Sequence, residues 1–206
     1  MAELDTKRRS VQLISANKST IIKMVHNTLE SLYELGDSVI VIRGTPAHEG
    51  KGCWIEETFA SDLDHTIPDA VRHTASWYAM QTVIAGVRMD LAHYAPMGAL
   101  PWNKSNAANA LARKIVWAYM VDKKQPPPHL VLRAHNHRKA ESSGFETQVQ
   151  FLPAWTSATE YVYTTGLQNS LADVGSIVYL LEDGKYEKIE YLFKPTESRQ
   201  VWAMKI

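Results

Sequence analysis

The sequence predicts an α/β protein, a layered β-sheet flanked by helices, on three observations. Short apolar β-branched runs alternate with segments of helical periodicity, each run stops at a turn-rich loop, and the last third carries strand patterns joined by an Asp-Gly turn. With 206 residues, 45% of them hydrophobic and 21% charged, the chain is long enough to bury a core, and 1–206 is expected to form a single domain. Lys and Arg number 22 against 22 Asp and Glu, which argues against a generic polyanion binder. The one cysteine, Cys53, excludes an intramolecular disulfide and any multi-cysteine metal site, and fits a reducing compartment. No run approaches the roughly 18–20 apolar residues of a membrane span, and residues 1–10 are polar, so the expectation is a cytoplasmic protein with no membrane partner.

Taken in order, Asn17 is placed to cap a helix over 18–35, with Ile21, Met24, Val25, Leu29 and Leu32 on one face and Gly36 past its end. The run Val39-Ile40-Val41-Ile42 reads as a buried, internal strand, and it stops at the Gly/Pro-rich stretch 44–52. A short helix is expected over 55–63. Residues 82–92 read as a second strand ending at His93, and 106–121 as a helix with Ala107, Ala110, Leu111, Lys114, Ile115, Ala118 and Tyr119 around its face. Beyond the stiff Pro126-Pro127-Pro128 connector, 129–132 is a third strand ending at Arg133-Ala134-His135-Asn136-His137-Arg138-Lys139. Strands are expected over 147–152, 176–181 and 186–193, the last two joined as a hairpin through Asp183-Gly184.

The histidines carry the chemical signal. Three strand ends bear His48, His93, and the pair His135 and His137, which is four of the eight histidines in the chain. Ligands of open α/β sheets bind beyond the carboxyl ends of strands, where loops from different strands converge. Neutral imidazole is the commonest metal ligand, and His-x-His in an extended loop directs two rings to neighbouring positions. With cysteine excluded, any metal must be held by His, Asp, Glu or Asn. His26, His65, His73 and His129 lack this placement. Arg133, Arg138 and Lys139 form a short basic run that is either a solvated rim or a weak phosphate-binding element.

These loops resemble, in order, those of the calcineurin-like metallophosphoesterases, and especially the divergent members of phage and prophage genomes. That family carries Asp-x-His, Gly-Asp, Gly-Asn-His-Asp/Glu, a later His, and Gly-His-x-His. Here Val41-Ile42-Arg43-Gly44-Thr45-Pro46-Ala47-His48-Glu49 is similar to the third loop, Asp90-Leu91-Ala92-His93-Tyr94 to the later His loop, and Leu132-Arg133-Ala134-His135-Asn136-His137 to the last. Pro153-Ala154-Trp155 is similar to a segment of the phage-type members. The sequence departs from the pattern in three ways. No Asp-x-His loop and no Gly-Asp loop at the end of a strand precedes residue 41, Thr45 stands where the family has the ligating Asn with two residues inserted before His48, and Ala134 replaces the Gly before His135.

The resemblance implies a metallophosphoesterase-like layered β-sandwich, truncated at its N-terminus relative to the family, and metal-dependent phosphoester hydrolysis. His93, His135 and His137 would hold metal, His48 would be the catalytic proton donor, and Arg133 and Arg138 would contact substrate. Mn²⁺ is the expected ion, with Zn²⁺ or Fe²⁺ as alternatives, and the substrate is a phosphoester whose kind, nucleic acid, nucleotide or protein phosphate, the resemblance leaves open. The missing acidic ligands would come from a second chain supplying strands, or from the local carboxylates Asp5, Glu49 and Asp90. The rival expectations are a nonenzymatic partner subunit or remnant of a split phosphoesterase, and a nuclease of the His-Asn-His type, for which the adjacent letters in 135–137 are a poor match.

Overall fold

The computed structural model describes residues 17–45, 54–96, 103–155 and 172–193. Asn17 caps the first helix as expected, its side chain accepting a hydrogen bond of 3.0 Å from the Ser19 amide, and α1 runs Lys18–Tyr33. It packs on a second helix, α2 (Trp54–Ser61), and on the residues just past it. Ile21 and Ile22 meet Ile55, while Val25, Leu29 and Tyr33 cover Phe59, Ala60 and Leu63. Met24 and Leu32, expected on the buried face, are exposed. The apolar stripe is rotated toward Ile22 because α2 supplies the cover from that side.

Residues 39–43 are extended but do not enter a sheet as an internal strand. Val39 forms an isolated parallel bridge with Thr66, and Ile42 another with Trp77. The backbone bonds recorded for the segment involve Val39, Val41 and Arg43, with partners at His65, Ile67 and Trp77. Alternate residues of an extended chain point their amides the same way, so these bonds lie along one edge. Val41 is nevertheless buried, among Phe59, Ala60 and Leu63.

The expected strand over 82–92 is two strands. β1 (Ala79–Ile84) and β2 (Val87–Ala92) pair antiparallel around Ala85-Gly86, both with positive φ, at 48° and 79°. A two-residue turn of this kind matches strand twist, and its second position accepts glycine at no steric cost. The sheet continues through β3 (Leu130–Arg133), the two-residue β4 (Ala140–Glu141) and β5 (Gln148–Phe151) in the order β1-β2-β3-β5-β4, with β2-β3 and β3-β5 parallel. The fold class is therefore α/β, a mixed central sheet flanked by helices.

One face of the sheet is covered by α3 (Lys104–Trp117), whose Ala108, Ala112 and Ile115 are buried on Val131, Val149 and Phe151. The helix passes into a π-turn, Ala118–Asp122, in which the Lys123 amide reaches back to Ala118 O, and this turn buries Tyr119. The opposite face carries a two-stranded ribbon of β6 (Val174–Glu182) and β7 (Lys185–Phe193), turning at Asp183-Gly184 as the sequence predicts. Tyr179, Leu181 and Tyr186 pack on Val87, Met89 and Leu130. Lys188 pairs with Glu141, and Lys139 with Glu190. The two hairpin tips touch backbone to backbone, Gly184 N donating to Ala85 O at 2.8 Å, and a Cβ on Gly86 would lie 2.8 Å from Gly184 N. No helix among the described residues is long and apolar enough to cross a membrane.

The extended segment is tied to α2 by a polar knot. Glu57 accepts from Arg43 Nη2 at 2.7 Å, from the Ala75 and Ser76 amides, and from Ser76 Oγ. Burial alone would raise the Glu57 carboxyl, but the Ser76 and backbone hydrogen bonds, aided by Arg43, outweigh it and leave its pKa below the ordinary value. A folded-state pKa held down means stability that is present above the unfolded value of about 4.3 and is lost as pH falls through the folded one. Melting temperature should drop on acidification below about pH 4, and Glu57→Gln should lower it at pH 7 while flattening that acid limb. Parallel pH profiles for parent and variant would remove Glu57 from the account. Independently, Val41→Asp should cost on the order of 3 kcal/mol, read as a large fall in melting temperature, because a charge would enter an apolar cluster without a partner.

Candidate metal centre

Strand pairing brings the histidine loops together. β2 and β3 are adjacent and parallel, with Ala92 opposite Arg133, so both chains leave the sheet side by side. His93 is the next residue after β2 and His135 the second after β3, and Ala134 N donates to His93 O at 2.9 Å. The outcome is a hydrogen bond between the rings: His93 Nε2 and His135 Nδ1 are 3.0 Å apart, one donating and the other accepting, with ring planes at 73°. Tyr94 stands edge-on to His135 with ring centroids 5.0 Å apart.

The loop after β3 takes an unusual backbone path to achieve this. His135 and His137 both adopt left-handed φ, at 70° and 54°. Between them Asn136 anchors the turn, its Nδ2 donating to Ala95 O at 2.8 Å. His137 O accepts from the Asp173 amide at 2.8 Å, and Asp173 Oδ2 in turn accepts from the Lys139 amide and from Lys104 Nζ. The structure thus joins His93 to His135 and ties the main chain of His137 to the residue preceding β6. His48 lies outside the described residues, as do Asp5 and Glu49.

Arg133 and Arg138 are both buried. Arg133 Nη2 donates to Asp90 Oδ1 at 2.6 Å and Nη1 to Asp90 O at 2.9 Å. Tyr119 Oη donates to Asp90 Oδ2 at 3.0 Å, with Gln81 Nε2 at 3.4 Å. Both oxygens of Asp90 are occupied by this network. Burial, reinforced by the neighbouring Asp90 charge, pushes the Tyr119 hydroxyl well above its usual pKa, so it donates throughout the physiological range. Burial lowers the pKa of Arg138, against an opposing pull from Asp173.

The 3.0 Å separation is that of an ordinary hydrogen bond, and it also falls within the roughly 2.9–3.4 Å between two imidazole nitrogens bonded to one ion at about 2.0–2.1 Å. Among the described residues no three His, Cys, Asp or Glu side chains converge to enclose an ion. A buried carboxylate nevertheless shares the Gly44 position with one of the rings: a Cβ on Gly44 would lie 2.7 Å from Glu56 Oε1 and 4.0 Å from His93 Cε1. Glu56, on α2, is 3% exposed; its Oε1 accepts from Gly44 N at 3.0 Å, and its Oε2 is buried with no hydrogen-bond partner. Thr45 Oγ1 is buried and unpartnered as well. The sequence gives no spacing signal for Glu56: it sits in the first turn of a helix, where an acidic residue is ordinary.

No family model and no curated protein matches the chain. Solved structures similar to it include a zinc-complexed Vps29 from Entamoeba histolytica, at 13% identity and a TM-score of 0.42 over 82% of this chain and 76% of that one. An archaeal phosphodiesterase is similar at 13% identity and a TM-score of 0.44 over 80% and 76%, and Vps29 from Cryptosporidium parvum at 16% and 0.42 over 82% and 76%. Likenesses at this level assign neither a family nor an activity.

The Asp90–Arg133 pair can be tested directly. Arg133→Leu should cost about 3–5 kcal/mol, because it strands a buried carboxylate, and Asp90→Asn in the same chain should recover part of that loss. Melting curves of the two single variants and the double variant decide this. Strict additivity would show that the ion pair does not couple β2 to β3.

Proposed function

We propose that the chain is a metallophosphoesterase-type domain that binds one divalent ion between His93 and His135 and acts on phosphoester bonds. The observation that carries this reading is the 3.0 Å contact between two imidazole nitrogens at the carboxyl ends of adjacent parallel strands. The ordered resemblance of the loops at 41–49, 90–94 and 132–137 supplies the reaction class. A bound divalent ion would polarise a phosphoryl oxygen and lower the pKa of a water. The chain's own residues present two imidazoles, tie their strands together through Asp90 and Arg133, and set Tyr94 edge-on against His135. Mn²⁺ is the preferred ion in this reading, a phosphodiester of the nucleic acid or nucleotide kind the substrate, and a phage or prophage relative in the cytoplasm the setting.

The rival is a nonenzymatic partner subunit. It is favoured by one observation: among the described residues β1 is one of the two outer strands of the sheet and carries exposed Val83 and Ile84, an edge of the kind that pairs with another chain. Calorimetric titration with Mn²⁺, together with hydrolysis of bis-p-nitrophenyl phosphate, separates the two. The enzyme reading expects weak but measurable Mn²⁺ binding and slow Mn²⁺-dependent turnover, with His93→Ala and His135→Ala each weakening binding at least about 10–100-fold and abolishing turnover. Binding without turnover would favour the subunit, and absence of binding would overturn the metal site.

A further inference from the structure

Along the β6-β7 ribbon, successive side chains alternate between the face on the central sheet and the face away from it. Tyr179, Leu181 and Tyr186 pack on the sheet, and Lys188 and Glu190 point the same way, to Glu141 and Lys139. The opposite parity carries Val178 and Leu180 on β6 and Ile189, Tyr191 and Phe193 on β7, all between 36% and 61% exposed. Val178 stands directly opposite Ile189, with Leu180 and Tyr191 on the two diagonals, so the patch runs unbroken across both strands. The charged outward residues, Glu182, Lys185 and Glu187, are confined to the tip. An antiparallel pair with one solvated face ordinarily puts polar residues on that face. A continuous apolar surface there marks a place that something covers.

Residues 194–206 follow β7 directly and lie outside the described residues. Their sequence begins Lys194-Pro195, where proline cannot continue the ladder of β7, and runs through the polar stretch 196–200. It then turns apolar at Val201, with Trp202, Met204 and Ile206 at alternate positions. Ile189 lies about 13 Å back along β7 from Phe193, and residues 194–201 reach about 26 Å when extended, enough to reverse and return to it. A segment joined so closely meets the patch at an effective concentration of about millimolar order, an advantage that a second copy or a separate protein lacks.

We propose that the outer face of the ribbon is the docking surface for residues 201–206 of the same chain, with the Trp202 ring on Val178 and Ile189. The ribbon is then a middle layer, covered by the sheet on one side and by this segment on the other. Docking also steadies the start of β6, where the Asp173 amide donates to His137 O, so the segment supports the histidine loop from a distance. None of this depends on a bound metal.

The test uses the full chain with labelled isoleucine, leucine and valine methyls, and reads nuclear Overhauser contacts from the Trp202 indole. Contacts within one chain to Val178 and Ile189 are expected. Contacts seen only between differently labelled copies would make the occupant a second chain and overturn the proposal, and the absence of contacts to both residues would overturn it as well. A double-mutant cycle supplies the second readout. Trp202→Ser and Ile189→Ser should each lower the melting temperature by about 5 °C, and the double variant by less than their sum, because both remove the same contact. Strict additivity would count against the docking, since Trp202 and Ile189 would then share no interaction.

Discussion

The buried ion pair between Asp90 and Arg133 is the constraint on which the strand-end geometry depends. It bridges β2 and β3 from two residues before the end of β2 to the last residue of β3, and it does so twice, through the Asp90 carboxylate and through the Asp90 carbonyl. Two residues taken from water at this depth hold only if their remaining hydrogen-bonding capacity is used, and Tyr119 and Gln81 use it on the carboxylate. Tyr119 reaches Asp90 from the π-turn that extends α3. The helix that covers the sheet thus also fixes the register from which His93 and His135 emerge, so packing and site geometry share one origin.

A second dependence runs through the opposite face. The β6-β7 ribbon covers Val87, Met89 and Leu130, and its tip meets the tip of the β1-β2 hairpin through two glycine-containing turns. Those turns align the two hairpins, while Lys139 and Lys188 join the ribbon to β4 through Glu190 and Glu141. The loop bearing His135 and His137 is consequently held from both layers: from beneath by Asp90 and Arg133, and from the ribbon side by the Asp173 contacts to His137 and Lys139.

The pattern of apolar residues made the α/β class, α1, α3, β3, β5 and the Asp183-Gly184 hairpin legible, since each has a strong periodic or turn signal. Other features were hidden for identifiable reasons. The β1-β2 hairpin reads as one strand because Ala85-Gly86 lacks the polar residue that usually marks such a turn, and because apolar residues flank it on both sides. The run at 39–42 looks like an internal strand by composition, yet bonds along a single edge to two separate segments, a tertiary choice that four apolar residues do not encode. At the site, the convergence of His93 and His135 follows from strand order and was readable, whereas Arg133 in a basic run gives no sign that it is buried on Asp90. Glu56 was invisible because its buried contact with Gly44 N depends on that residue having no side chain.

The torsions at His135 and His137 have a consequence for how sequences in this loop can vary. Left-handed backbone costs a non-glycine residue roughly 1 kcal/mol or more, so a chain selected for folding alone would drift toward Gly or Asn at both places. Asn already occupies 136, where the backbone does not ask for it, while the two left-handed positions keep bulky imidazoles. Random variation screened only for solubility and heat resistance should enrich glycine at 135 and 137. The loop thus trades conformational ease for ring placement, and the strain marks the two positions at which thermal robustness and imidazole chemistry pull the sequence in opposite directions.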